Sequence, residues 1–298
     1  MSIATARIVG LDTAGIRRTR AEVEGTTGHL PHIVPVAPDL GVILADDAGA
    51  VLSEAELRDL GWTDDDVLRA AVEVAQQQAA GDIAVIRPGT VVVQDADLTV
   101  LVVTAPSSLQ GIDLDGAPVL FPVAPTTFIL TGDADAVGLE TAAGLAQQIL
   151  ADEDGEVLSG PPVVLGSDGW QPFQHAGLDT DLRTVRALWT STAANLQQEA
   201  LQAVFDRASE DVHVAPVSVA RLDDGDAAFS YSAWTEDVET IVAAVDTVVL
   251  VTLDGQTLPV PFGRLQTLVP DLIEELAVRP TRYRLRGYPD IAALRAEL

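Results

Sequence analysis

Apolar and polar residues recur along this chain with two different periods, and the changes of period divide it into elements. The continuous apolar run over residues 40–45 predicts a strand, turned by Asp46, Asp47 and Gly49. Ser53 and Glu56 have the spacing of a capping box and open a short helix that Gly61 ends. Thr63 caps a second helix, with Asp64, Asp65 and Asp66 in its first turn and a stripe of Val67, Leu68, Ala71, Val72 and Ala75. Residues 83–87 and 90–94 read as strands either side of a Pro88-Gly89 turn. The β-rich run 98–104 reads as a buried strand, and 119–123 and 126–131 as two more. A helix from Asp133 or Asp135 to about Leu150, a surface loop over 151–156 and a strand at 163–165 follow. The first 36 residues carry no clear period, and 25–35 reads as a loop.

The longest predicted helix covers residues 180–207. Leu182, Val185, Leu188, Trp189, Thr192, Leu196, Leu201, Val204 and Phe205 keep a helical period along it. Beyond it, residues 214–222 and 227–234 flank Asp223-Asp224-Gly225, and 247–253 and 257–261 flank Asp254-Gly255; both patterns predict hairpins. A helical stripe from Phe262 to Leu276, interrupted at Pro270, a strand over 282–286 and a short helix opened by Asp290 complete the chain. The expected fold is α+β: mixed or antiparallel sheets with packed helices, in two halves (1–178 and 179–298) joined by the long amphipathic helix.

Charge adds a constraint. Seventeen basic residues face 45 acidic ones, for a formal charge of −28, and every base is arginine. A GC-rich coding sequence accounts for arginine without lysine. An apolar fraction of 48% argues against a halophilic surface, and selection against lysine has no second feature behind it. The excess of carboxylates opposes binding to nucleic acid or an anionic membrane and favours basic protein partners. The absence of cysteine excludes disulfides, thiolate metal sites and a cysteine nucleophile. Residues 1–10 have no apolar core of a signal peptide and no run is long enough to span a bilayer, so a cytoplasmic protein is expected.

The search for chemistry yields no catalytic, cofactor-binding or metal-ligating set, and no cofactor is expected. His29 and His32 are three apart but separated by Pro31, and His175 and His213 are isolated. The acidic runs 152–154 and 223–226 read as solvated surface, and Gly166-Ser167-Asp168-Gly169 as a turn rather than a nucleophile elbow. One asymmetry stands out: Arg279, Arg282, Arg284, Arg286 and Arg295 all fall in the last twenty residues. On a strand, Arg282, Arg284 and Arg286 share one face, opposite Tyr283 and Leu285. They are the candidate interaction residues, with two structural readings beside that one: pairing with the chain's own carboxylates, and guarding an edge strand.

Three stretches together resemble the uncharacterised YtpQ-like family of bacterial proteins. They are Asp39-Leu40-Gly41-Val42 followed by Leu57 to Trp62 and a helix; Pro122 to Leu130 with Gly138-Leu139 and the helix to Leu150; and Leu158-Ser159 to Val164 with Gly169-Trp170-Gln171-Pro172-Phe173, where Gln171 stands for the family's usual glutamate. The resemblance covers roughly residues 39–173. The chain departs from the family in a shorter N-terminal portion and an additional C-terminal third. It implies a soluble cytoplasmic α+β protein and carries over no catalytic residue. The expected function is a non-enzymatic interaction or accessory protein with an acidic surface; the alternative is a hydrolase or other enzyme with a dispersed carboxylate and arginine site.

Overall fold

The computed structural model describes residues 3–81, 83–151, 158, 161–221 and 227–298. The fold is α+β, in two compact units: Met1–Leu11 with Thr26–Val185, and Asp12–Gly25 with Arg186–Leu298. Strand β1 (Ile3–Gly10) leads directly into helix α1 (Leu11–Glu24), which clusters from Asp12 onward with the second unit, so the N-terminal region without a clear period is regular structure. Within the stretch expected to be a loop, residues 25–35, a turn of 3₁₀ helix at Thr27–His29 and the start of β2 (Val34–Ala37) are the regular parts. Next come β3 (Leu40–Asp46), α2 (Glu54–Asp59) and α3 (Asp64–Gln78), and Ser53 and Thr63 make the capping boxes their spacing predicted.

The strands β4 (Ile83–Arg87) and β5 (Thr90–Val93) are joined through Gly89, whose φ of +79° is open to glycine without strain. The following run, expected as a buried strand, is instead helix α4 (Ala96–Thr104). Asp95 accepts a hydrogen bond from the Leu98 N–H at 2.8 Å and so starts the helix. Thr99, Val100, Val102 and Val103 are buried, so apolar residues surround the helix and leave no stripe to betray its period. Burial here overrides the β-propensity of valine and threonine. Then follow β6 (Pro118–Ala124), β7 (Thr127–Gly132), α5 (Ala136–Leu150), capped by Asp135, β8 (Val163–Gly166) and β9 (Gly169–Pro172).

In the first unit these strands form an antiparallel sheet of order β1-β3-β2 and an antiparallel sheet of order β4-β5-β7-β6-β8-β9. Helices α3 and α4 pack on one another and on β1, and α5 packs on β6 and β7. Leu40, Val42, Leu44, Val100, Leu120, Phe128 and Leu130 belong to the resulting core. The Trp170 indole N–H donates to the Val103 carbonyl at 3.1 Å, tying β9 to α4.

Helix α6 (Asp179–Arg207) is the predicted long helix; it clusters with the first unit to Val185 and with the second from Arg186. The second unit continues with β10 (Val212–Val214), β11 (Ser218–Arg221), β12 (Ala228–Thr235), β13 (Glu239–Ala243), β14 (Thr247–Val251), β15 (Thr257–Pro261), α7 (Phe262–Leu268), β16 (Ile273–Leu276), β17 (Arg282–Leu285) and α8 (Ile291–Glu297). Its two mixed sheets run β10-β13-β17-β16 and β11-β12-β14-β15. Two hairpin pairings match expectation, β11 with β12 and β14 with β15; the Asp223-Asp224-Gly225 turn and residues 152–156 lie outside the described residues. The stripe after Pro270 is a correction: Ile273 to Leu276 pair with β17 as a strand, because the backbone gains a ladder there. Trp234, Val242, Val248, Leu250, Phe262 and Leu265 form this unit's core.

The α4 assignment is testable. Asp95→Ala is expected to lower stability by about 1 kcal/mol, the usual cost of losing an N-cap. Urea unfolding of the two proteins measures it, and an unchanged midpoint would remove the cap from the account of α4.

Candidate functional site

The three arginines singled out by the sequence fall around β17, an internal strand flanked by β13 and β16. Arg282 and Arg284 project from one side of it, and Arg286 follows the last strand residue. An edge-guarding role does not apply to a strand paired on both sides.

Arg282 is fully buried. Its Nε donates to Gln197 Oε1 at 2.9 Å and its Nη2 to the Ala194 carbonyl at 2.5 Å, both on α6. The Gln197 amide nitrogen in turn donates to the Thr19 hydroxyl on α1 and to the Arg279 carbonyl, at 3.2 and 2.8 Å. Thus one guanidinium and one amide join α1, α6 and β17. Gly15 belongs to the same joint: a Cβ there would stand 2.3 Å from the Arg279 carbonyl oxygen. Burial lowers the Arg282 pKa to about 10. Its partners are neutral acceptors, so the charge is held by dipoles, and Nη1 has no hydrogen-bond partner among the described residues.

Arg284 is held differently. It donates from Nε to Glu239 at 2.8 Å and from Nη1 to Glu210 at 2.7 Å, and its guanidinium carbon lies 6.0 Å from the Phe205 ring centre. Burial alone would lower its pKa, but the two glutamates outweigh this and hold it above the ordinary arginine value. Arg286 is half-exposed and pairs with Glu274 at 2.5 Å. The three therefore do not form one open cationic face: two are internal struts and the third is neutralised at the surface.

Sequence periodicity missed Gln197. The stripe assigned Leu196 inward, yet Leu196 is half-exposed and Gln197 is fully buried, because Arg282 needs an acceptor at that point. A second polar row on α6 was also unread. Ser191 and Asn195 bond the Val217 carbonyl, Asn195 accepts from the Val217 N–H, and Gln198 bonds the Val214 carbonyl. Gln202 bonds both the Val212 carbonyl and the Val214 N–H. Spacings of four, three and four along one helix were visible in the sequence, but only the structure shows that they engage the chain from β10 to Val217.

The histidines lie on separate features. His32 pairs with Asp64 at 2.8 Å beside the start of α3, His175 stacks on Phe173, and His213 is exposed on β10; the His29 side chain lies outside the described residues. Among the described residues no group of three or more histidine and carboxylate side chains is placed to hold a metal ion. Acidic runs 152–154 and 223–226 lie outside them. In the first unit Asp135 binds Arg87 and accepts the Gly138 N–H at 2.9 Å. The Gly138 amide lowers the Asp135 pKa most, partial burial opposes it, and Arg87 adds to the lowering. No helix among the described residues is long and apolar enough to cross a membrane.

With this geometry in place, the comparisons with known proteins add no relative: no family model, no curated protein and no solved structure matches the chain.

Two outcomes test the strut and the pair. Arg282→Met takes the guanidinium donor from Gln197 Oε1 and the Ala194 carbonyl and is expected to cost about 2 kcal/mol; urea unfolding reads this, and a neutral variant would contradict it. Asp135, with a lowered folded pKa, contributes stability above its unfolded value of 3.8 that is lost as pH falls through the folded value. Stability of Asp135→Asn is therefore expected to lie below wild type at pH ~6 and to converge with it as pH falls through the lowered folded value, measured by denaturation across the acid range.

Proposed function

We propose that this chain is a non-enzymatic interaction or accessory protein of the cytoplasm that binds a basic protein through its acidic surface. The observation that carries the reading is the use of the arginines. Arg58, Arg69, Arg87, Arg183, Arg279, Arg284 and Arg286 each hold a carboxylate of the same chain, and Arg20, Arg264 and Arg282 hold backbone carbonyls. Such pairs use up cations without exhausting the carboxylates of a chain of charge −28.

One concentration of the excess lies around α2 and α3. Between Asp46 and Glu73 nine acids face Arg58 and Arg69 alone, and Asp47, Glu54, Glu56, Asp59, Asp64, Asp65 and Glu73 are exposed. Arg58 is held by Glu54 and Arg69 by Asp66. A surface of this kind steers cationic proteins toward it and repels nucleic acid and anionic lipid. The similarity of residues 39–173 to YtpQ-like proteins, which includes this stretch, belongs to the same proposal. The alternative of a dispersed carboxylate and arginine site is weakened because Arg282 and Arg284 already serve as struts.

Affinity capture with the full chain tests the reading. Basic proteins are expected to be retained at about 50 mM salt and released by about 300 mM, and Asp59→Asn/Asp64→Asn/Asp65→Asn is expected to release them at lower salt. Retention that ignores both salt and these substitutions would contradict it.

A further inference from the structure

Among the described residues the sheet edges are blunted in recognisable ways, with one exception. β10 is covered by the amide row of α6, and β16 presents Glu274 and Glu275. β15 carries Pro259 and Pro261, β9 ends in Pro172 and β2 contains Pro35. β11 is bounded by the exposed Ser218 and Arg221, and β1 presents Arg7 and receives Gln78 on the Ala4 carbonyl.

β4 has none of these devices along its length. Among the described residues it pairs with β5 alone, and no strand lies against its other side. Ile83, Val85 and Ile86 are 40, 69 and 48% exposed, and Ala84 is exposed between them. Side chains of a strand alternate between faces, so the strand is bare on both, beyond the layer that buries β5 completely. Its one charge, Arg87, lies after a register shift at the far end and is neutralised by Asp135. An exposed apolar edge of this kind is a template for another strand.

The charge around it selects among occupants. A second copy would bring another charge of −28 against the first, which opposes self-pairing. At the Ile83 end, Gly81 packs on Asp95 so closely that a Cβ would come within 2.2 Å of the Asp95 Cβ, and Asp97 follows. Asp95 faces Gly81 from the β5 side, two residues beyond Val93, so this end of the sheet carries negative charge.

Resting on the reading above, we propose that β4 is the docking edge for an extended segment of the basic partner, one that alternates apolar residues with arginine or lysine and adds a strand beside Ile83–Arg87. Backbone pairing supplies affinity, the apolar side chains cover Val85 and Ile86, and the cations answer the negative charge of the chain.

The probe is a fluorescent seven-residue peptide alternating valine with arginine, titrated by anisotropy against the full chain, beside the same peptide with alternate amides N-methylated so that it cannot add as a strand. The unmethylated peptide is expected to bind about tenfold tighter than the methylated one, equivalent to about 1.4 kcal/mol. Val85→Lys is expected to remove that preference; Val85 is mostly exposed, and circular dichroism checks its fold. Asp64→Asn/Asp65→Asn, remote in sequence from β4, is expected to leave the preference intact. Equal, salt-sensitive binding of both peptides would overturn the edge proposal and leave the acidic-surface reading standing. So would failure of either peptide to bind while basic proteins are still captured. A dimer of the chain alone, abolished by Val85→Lys, would assign the edge to a second copy and overturn the basic partner.

Discussion

Scarcity of positive charge is the constraint on which the rest of this structure depends. Seventeen arginines must serve 45 carboxylates, and the chain places several of them where a cation does mechanical work. Arg282 is the extreme case: its charge is buried among neutral acceptors, and its hydrogen bonds join α1, α6 and β17. Holding a guanidinium without a carboxylate is costly, as the lowered pKa records. The fork of fixed donors offsets that cost by satisfying a helix carbonyl and a buried amide together. Arg284 works beside it with two glutamates, and Arg87 fastens the β4–β5 turn to the start of α5 through Asp135.

Beside Arg7 on β1 and Arg221 on β11, means other than cations close the remaining blunted sheet edges. Neutral amides on α6 cover β10, prolines interrupt β2, β9 and β15, and glutamates line β16. β4 retains an apolar edge within an acidic chain, and the proposed docking combines backbone pairing there with a preference for basic segments. Function in this reading arises from what the fold leaves uncovered rather than from a catalytic constellation.

Much of this was legible in the sequence wherever a local rule decided the outcome. Ser53 and Thr63 cap their helices, Gly89 and Gly255 take positive φ in their turns, and α6 covers nearly the predicted range. Failures came where tertiary contact decided. Residues 98–104 are β-rich yet helical, because Thr99, Val100, Val102 and Val103 are buried by tertiary packing and Asp95 caps the helix. Residues 273–276 left a helical stripe for the ladder of β17. The arginine face at 282–286 was visible as a pattern, but its partners Gln197, Glu210 and Glu239 are 45 to 85 residues away, beyond the reach of spacing arguments. The β4–β5 turn was legible; that β4 is an uncovered edge was not, since that depends on the order of strands in the sheet.

The dependence of thermal stability on sodium chloride tests the central claim most directly. Where the pairs are internal and the surface carboxylates repel one another, screening relieves repulsion more than it weakens attraction. The account predicts that Tm rises by several degrees between about 0.02 and about 0.5 M salt at neutral pH. A Tm that falls over that range would show that exposed ion pairs dominate the surface, and would contradict it.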